Sequence, residues 1–186
     1  MKARCFWVSE NPLYVNYHDQ EWGKPVYEDA IFFEFLLLET FQAGLSWLTI
    51  LNKRDNFRGA FDDFDYQKIA KYSDKKFEAL MQDKGIVRNA LKIKSAISNA
   101  QFFMEIQQEF GSFSTFIWRY VDQKSVLNKF QHREEMPTTT PLSDQISKDL
   151  KRRGFKFVGS TIIYAFLQAT GIVNDHTTDC FKHLGE

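Results

Sequence analysis

Residues 143–171 read "SDQISKDLKRRGFKFVGSTIIYAFLQATG", and the pattern is that of a helix, a tight hairpin and a second helix. Ser143 caps a first helix over "DQISKDLKRR" (144–153), and Gly154 ends it. The second helix spans "STIIYAFLQAT" (160–170) and stops at Gly171. Gly159, Ser160 and Thr161 place free backbone N–H groups at the start of that helix, an arrangement that suits a phosphate. Five bases (Lys148, Lys151, Arg152, Arg153, Lys156) and one acid fall within 148–156, forming a basic collar beside the hairpin. Taken alone, an antiparallel helix pair with a solvated basic face explains the stretch equally well.

The rest of the chain repeats the helical period. A mostly buried helix is expected over "EDAIFFEFLLLETFQ" (28–42), and another, capped by Ser46, over "WLTILNKRDNFRGAF" (47–61). Asp65 and Ser73 precede short helices at 66–72 and 74–83, and a long one covers 87–110 up to Gly111. Ser114 precedes "TFIWRYV", and residues 124–142 are polar and irregular, punctuated by Pro137 and Pro141. The first 27 residues read as loop and short helix. No alternating strand pattern is sustained, so the expected fold class is all-α. One domain over residues 1–186 is the simplest division at this length.

Nineteen phenylalanines and 44% hydrophobic residues supply a core. No apolar run is long enough to span a bilayer, and the N-terminus lacks a signal-peptide segment, so a cytoplasmic protein without membrane contact is expected. The formal charge is zero, with 24 Lys+Arg against 24 Asp+Glu, which excludes the whole-chain basic excess of many nucleic-acid binders. The balance is uneven, because residues 10–40 hold seven acids and the single base Lys24.

The only cysteines, Cys5 and Cys180, lie near opposite ends, and each has a histidine companion, His18 and His176. His176 and Cys180, four apart, share one face of a helical turn. Two Cys and two His complete a closed tetrahedral zinc shell with no vacancy for a reacting water. The alternatives are a small core cysteine, or a disulfide in an oxidising compartment.

Six aromatics (Phe6, Trp7, Tyr14, Tyr17, Trp22, Tyr27) crowd a region too irregular to be one helix face. They suit either a satellite core or a pocket that sandwiches a flat ligand. Glu39 shares a helix face with Phe35 and Leu36, so its carboxylate must be paired, hydrogen-bonded or protonated. Trp47 follows shortly and offers a stacking face. A carboxylate among aromatic faces fits a flat, cationic, hydrogen-bond-donating ligand such as an alkylated purine.

The stretches "RCFWV", "PLYVNYHDQEWGKP", "LLLETFQAGLSWLTIL", "KGIVRNALKI", "RRGFKFVGSTIIYAFLQATGIVNDH" and the closing cysteine together resemble the bacterial 3-methyladenine-DNA glycosylase I (TAG) family of the helix-hairpin-helix glycosylases. The resemblance extends over nearly the whole chain. It implies an all-α helix-hairpin-helix fold with one structural zinc ion joining the termini through Cys5, His18, His176 and Cys180. It implies hydrolysis of the N-glycosidic bond to 3-methyladenine in double-stranded alkylated DNA, with free 3-methyladenine as product and an abasic site left behind. Base contacts would come from Trp7, Tyr14, Tyr17, Trp22, Glu39 and Trp47, with Glu39 and Tyr17 the residues carrying catalysis. Gln42, Gly44 and Leu45 would probe the gap left by the flipped base, and Lys156, Gly159, Ser160 and Thr161 would hold the DNA backbone. A monomer is expected.

Two features depart from the wider superfamily. The Leu-Pro-Gly-x-Gly hairpin of many relatives is replaced by "FKFVG", and Asp175 stands near the place of their reacting aspartate although the TAG family does not rely on one. Methylation at N3 makes the purine cationic, so it leaves as a neutral base without prior protonation. The enzyme's remaining work is flipping, discrimination and support of an oxocarbenium-like transition state. Glu39 would accept hydrogen bonds from the N6 and N7 edge of the base. Three other readings are less well supported. A zinc-stapled nucleic-acid-binding module gains little from a buried acid. A glycosylase for uncharged lesions wants a strong acid or a nucleophilic lysine. A zinc hydrolase needs an open coordination position.

Overall fold

The computed structural model describes residues 2–183. Among these, nine α-helices follow one another: α1 (Pro12–Gln20), α2 (Asp29–Gln42), α3 (Trp47–Ala60), α4 (Tyr66–Ile69), α5 (Asp74–Gln82), α6 (Ala90–Phe110), α7 (Phe113–Trp118), α8 (Pro141–Arg152) and α9 (Ser160–Ala169). No helix among the described residues is long and apolar enough to cross a membrane. One pairing departs from an all-helical chain: β1 (Val126–Leu127) lies parallel to β2 (Val173–Asn174). Two residues per strand carry too little alternation to be visible in the sequence, and the pairing staples the irregular 124–142 segment to the end of α9.

The helix α2 is the centre of the core. Phe32, Phe33, Phe35, Leu36, Leu37, Leu38 and Phe41 are all buried along it, and it packs against α9, α3, α6 and α7. On its outer side Glu34 pairs with Arg54 at 2.8 Å and Arg58 at 3.1 Å on α3. The 21-residue α6, about 30 Å long, turns Ile93, Ala96, Ala100, Phe103 and Ile106 inward at helical spacing. Twelve of the nineteen phenylalanines are buried, so the aromatic excess is spent mainly on the core rather than on a ligand site.

Two caps differ from the sequence expectation. Thr140, not Ser143, caps α8; its hydroxyl accepts from Ser143 N, and the Ser143 hydroxyl in turn accepts from Thr140 N, so Ser143 is the reciprocal partner of a capping box. Ser112, not Ser114, caps α7, with its hydroxyl accepting from Thr115 N at 2.9 Å. In both cases a Ser or Thr two or three residues upstream competes for the same role. Pro141 at the first helical position settles the α8 case, because its missing N–H costs nothing there.

The helices α8 and α9 form the expected hairpin. Gly154 ends the first with φ +103°, and a Cβ there would stand 2.5 Å from the Phe102 ring. The hairpin is then clamped to α6: the Asn99 side chain donates to Lys156 O at 3.0 Å and accepts from Lys156 N at 2.9 Å. Phe155 and Val158 are buried beneath it, and Ser147 Oγ donates to Val158 O at 2.6 Å.

Candidate functional site

Trp7, Tyr14, Tyr17, Trp22, Glu39, Gln42 and Trp47 line one pocket, together with Met136, Ala165 and Gln168. Its volume is about 160 Å³, below the roughly 300–1,000 Å³ typical of pockets for drug-sized ligands and suited to one flat ring system. Five segments meet here: the N-terminal region with α1, then α2, α3, the segment around Met136, and α9. The N-terminal region gives Trp7 and the α1 residues Tyr14 and Tyr17, α2 gives Glu39 from the core side, and Trp47 opens α3. The rings form a set of tilted and edge contacts: Trp7 to Tyr14 at 5.2 Å, Trp7 to Trp22 at 4.9 Å and Tyr17 to Trp47 at 5.3 Å between centroids. Phe6 and Tyr27 take no part. Both are exposed, and Tyr27 stacks on Trp118 instead.

Glu39 is the outlier in this setting. It is 3% exposed, and its Oε2 has no hydrogen-bond partner. Burial alone pushes its pKa up to about 8, because nothing nearby compensates the charged form. Burial also raises the Tyr17 hydroxyl well above its usual range, and the Glu39 charge adds to that. The same two causes, in the same order, raise Tyr14. Four buried side-chain polar atoms lack partners among the described residues: Glu39 Oε2, Trp7 Nε1, Trp47 Nε1 and Thr177 Oγ1. Three of the four belong to residues lining this pocket, where an incoming polar ligand would satisfy them.

The second cluster is the cysteine–histidine group. The ligand atoms of Cys5, His18, His176 and Cys180 all lie within 4.8 Å of one another, and all four residues are buried. Each sulfur sits 3.3–3.5 Å from each facing histidine nitrogen. In a tetrahedral shell with ordinary zinc–sulfur and zinc–nitrogen bonds that separation is about 3.6 Å, so the four sulfur–nitrogen contacts have the size expected around one ion. The far ring nitrogens are also fixed. His18 Nδ1 lies 2.8 Å from Asp19 Oδ1, and His176 Nε2 lies 3.1 Å from Trp22 O. These partners leave His18 Nε2 and His176 Nδ1 facing the sulfurs, as metal-binding imidazoles require. Asp19 is itself held by a two-pronged bond from Arg4, which, with the contact to His18, keeps its pKa low at about 2 against the opposing effect of burial. Gly23 permits the close approach of the chain, since a Cβ there would come within 2.8 Å of His176 Nε2.

The cluster and the pocket share walls. Trp7 and Trp22 reach the pocket on one side and the histidines on the other, with Trp22 4.6 Å from the His176 ring and Trp7 5.3 Å from that of His18.

Among the residues expected to meet a nucleic acid, Gln42 faces the pocket, whereas Gly44 and Leu45 form the turn that follows α2. Gly44 has φ +81° and Leu45 is 41% exposed. The buried Lys92 of α6 secures this turn by donating to Phe41 O at 2.8 Å and Ala43 O at 2.6 Å, the carbonyls that α2 leaves open. At the hairpin, Gly159 is the N-cap of α9 and no side chain caps it. Ser160 Oγ pairs with Ser143 Oγ at 2.8 Å, and Thr161 is exposed. The basic collar is thinner than its five residues suggest. Arg153 pairs with Glu109 and Asp149, and Arg152 pairs with Asp149, while Lys156 lines a groove with Leu91 and Lys94.

Sequence reading missed Met136, Ala165 and Gln168. Ala165 and Gln168 are three apart on α9 and face the pocket together, a pairing masked by the apolar run around them. Met136, the lone large apolar residue in "REEMPTTT", was the available signal in the 124–142 segment. Asp175 does not line the pocket. It is fully buried and accepts hydrogen bonds from Asn128, Tyr164 and Gln168.

A family model for methyladenine glycosylase matches residues 7–183. The DNA-3-methyladenine glycosylase 1 of Escherichia coli (strain K12) is 46% identical over 182 residues, covering 98% of this chain and 97% of its own. A DNA-3-methyladenine glycosylase of Haemophilus influenzae is 43% identical, covering 97% of both. Among solved structures, a crystal structure of 3-methyladenine DNA glycosylase I (TAG) superposes with a TM-score of 0.94 at 48% identity, covering 97% of this chain and 100% of that one. A structure describing 3-methyladenine recognition by the Staphylococcus aureus enzyme gives 0.92 at 39% identity, covering 95% and 94%. With matches of this extent at both the sequence and the structural level, the chain belongs to the methyladenine glycosylase family.

Proposed function

We propose that the protein is a monofunctional DNA glycosylase that removes 3-methyladenine from alkylated duplex DNA, working as a cytoplasmic monomer whose whole length, 1–186, forms one domain. The observation that carries the reading is the buried Glu39 carboxylate, whose Oε2 has no partner among the described residues, in an aromatic pocket the size of one base. A buried carboxyl whose Oε2 lacks a partner favours a ligand that brings hydrogen-bond donors and positive charge to it. A cationic base with an exocyclic amine supplies both the charge and the donors that the site lacks.

The proposed steps use this chain's own groups. Gly159, with Ser160 and Thr161, presents the N-terminus of α9 to a phosphate, and Lys156 adds positive charge beside it. A Cβ on Gly159 would meet nothing within 4 Å and its φ is −60°, so neither packing nor backbone conformation demands glycine there. Close approach of an external backbone does explain it. Gly44 and Leu45 enter the gap left by the flipped nucleotide, with Gln42 behind them at the pocket wall. Tyr17 and Trp47 flank the base, Trp7, Tyr14 and Trp22 close the walls, and Glu39 accepts hydrogen bonds from the amine-bearing edge. The aromatic faces and the carboxylate favour the cation over unmodified adenine by the cation–π and charge terms together. Hydrolysis then needs only a water at C1′, since the methylated base is already a good leaving group.

The cysteine–histidine cluster is read as a structural zinc site, with Cys5, His18, His176 and Cys180 as ligands. The ion would supply a rigid cross-link between the chain ends and no reacting group, because four protein ligands fill a tetrahedral shell.

The test is incubation with methylated duplex DNA and identification of the released base. 3-Methyladenine is the expected product. Release of 7-methyladenine or hypoxanthine without 3-methyladenine would overturn the assignment.

A further inference from the structure

Gln168 is the one polar side chain lining the pocket from α9, and its amide is fixed by Asp175, which lies outside the pocket, and by Met136 of the pocket wall. Its Nε2 donates to Asp175 Oδ2 at 2.7 Å and to Met136 Sδ at 3.6 Å. An ionised carboxylate only accepts hydrogen bonds, so the nitrogen must face Asp175 and the amide cannot turn over. Both N–H groups are thereby used. The remaining atom, Oε1, has no protein partner among the described residues and belongs to a residue that lines the pocket. Asp175 is held just as firmly. It is 0% exposed, and Oδ1 accepts from Asn128 Nδ2 at 2.7 Å while Oδ2 accepts from the Tyr164 hydroxyl as well as from Gln168. The chain therefore invests a buried, fully satisfied carboxylate in presenting one bare carbonyl acceptor at the pocket, on the helix whose N-terminus faces the proposed phosphate site.

We propose that Gln168 Oε1 orients the attacking water at C1′, and that Asp175 acts as its positioning residue. The inference rests on the glycosylase reading above and adds the water-orienting group to it. Oε1 accepts one O–H of the water, leaving an oxygen lone pair for C1′. The water oxygen bonds to C1′ as the C1′–N9 bond breaks, and the electron pair of that bond leaves with the base as neutral 3-methyladenine. The surplus proton passes to bulk water at the pocket mouth, since an amide carbonyl does not take it. Glu39 reads the base; Gln168 serves the sugar side of the same pocket.

The experiment separates those two roles. Gln168→Met keeps the side-chain length and removes the amide. Single-turnover excision from methylated duplex is expected to fall on the order of 100-fold, the low end of the range seen when one positioned polar group is lost. Binding of free 3-methyladenine, followed by tryptophan fluorescence, is expected to stay within about twofold because the edge contacts are intact. Equal losses in both would make Gln168 a base reader and overturn the proposal, as would an unchanged rate. For Asp175, Asp175→Asn lets the Gln168 amide turn over, so excision should fall while free-base binding holds. Combining it with Gln168→Met should then add nothing to the single loss. Additive losses would mean that Asp175 acts independently of Gln168. Should Asp175→Asn fail to fold, Tyr164→Phe removes one of the donors holding Asp175 and is expected to show the same non-additivity. A wild-type protein that releases no 3-methyladenine refutes the parent reading; wild-type release with an unchanged Gln168→Met rate refutes this inference alone.

Discussion

Glu39 sits where a carboxylate is least comfortable, and its discomfort is measurable without DNA. Its folded-state pKa, about 8, lies above the ordinary glutamate value of 4.5. Between those two values the folded state holds a proton that the unfolded state has released, so stability falls as pH rises through this window and the full penalty is present above pH 8. Glu39→Gln removes the titration. The variant is therefore expected to gain stability relative to the parent as pH is raised from 5 to 9, by an amount on the order of a few kcal/mol. Denaturant titrations at the two pH values check this, and a difference that does not change with pH would mean that Glu39 is hydrated or paired. The same variant should lose base affinity and excision together, because the carboxylate that destabilises the empty site is the one that recognises the cation. Glu39 was legible in the sequence because a lone acid on an apolar helix face has few innocent explanations. Gln168 was not, because a glutamine among apolar residues fits an exposed helix end equally well, and only the fold brings Asp175 and Met136 to it.

The hairpin glycines look alike in sequence and differ in kind in the structure. Gly154 has φ +103° and a Phe102 ring where its Cβ would be, so Gly154→Ala meets both backbone strain and a clash. A loss of about 1–3 kcal/mol is expected, read as a drop in Tm, with DNA affinity falling only as the fold does. Gly159 has open space around it and an ordinary φ of −60°. Gly159→Ala should leave Tm nearly unchanged, within about 1 kcal/mol for an N-cap substitution, yet weaken binding to duplex DNA. Electrophoretic mobility and thermal melting on the two variants separate these outcomes. A Gly159→Ala protein with full DNA affinity would remove the phosphate from the α9 N-terminus. At this scale the sequence is readable because Gly, Ser and Asp punctuate almost every helix. What it hides is which of two neighbouring hydroxyls caps, as at Thr140 and Ser143, and any pairing as short as β1 with β2, whose partners are separated by nearly 50 residues of chain.

Across the whole molecule, both chain ends converge on one buried cluster, and the pocket hangs from it. Beyond the cluster itself, the N-terminal region is laced to the end of α9 by Gly23 N to Gln168 O and Val26 N to Thr170 O, both at 3.0 Å. Gly171 allows this contact, since a Cβ there would lie 2.3 Å from the Lys24 backbone. The hydrogen bond to Cys180 and burial push the Cys5 thiol up, and the same bond pulls Cys180 down. A divalent ion held by Cys5, His18, His176 and Cys180 would bind both sulfurs as thiolates and add a cross-link between the N- and C-terminal segments. The zinc reading predicts close to one equivalent of zinc per chain after dialysis, and less than half an equivalent would end it. Strong chelation is expected to lower Tm on the order of 10 °C, as loss of a structural metal costs several kcal/mol. The damage should be ordered in space. Trp7 and Trp22 bridge the histidines and the pocket, so tryptophan fluorescence and free-base binding should change first, while the core around α2 and α6 keeps its helical circular dichroism. Cys180→Ser should reproduce the chelated state. If base binding survives full metal removal with Tm unchanged, the pocket stands on the helices alone, and the cluster is a buried polar contact rather than a clasp.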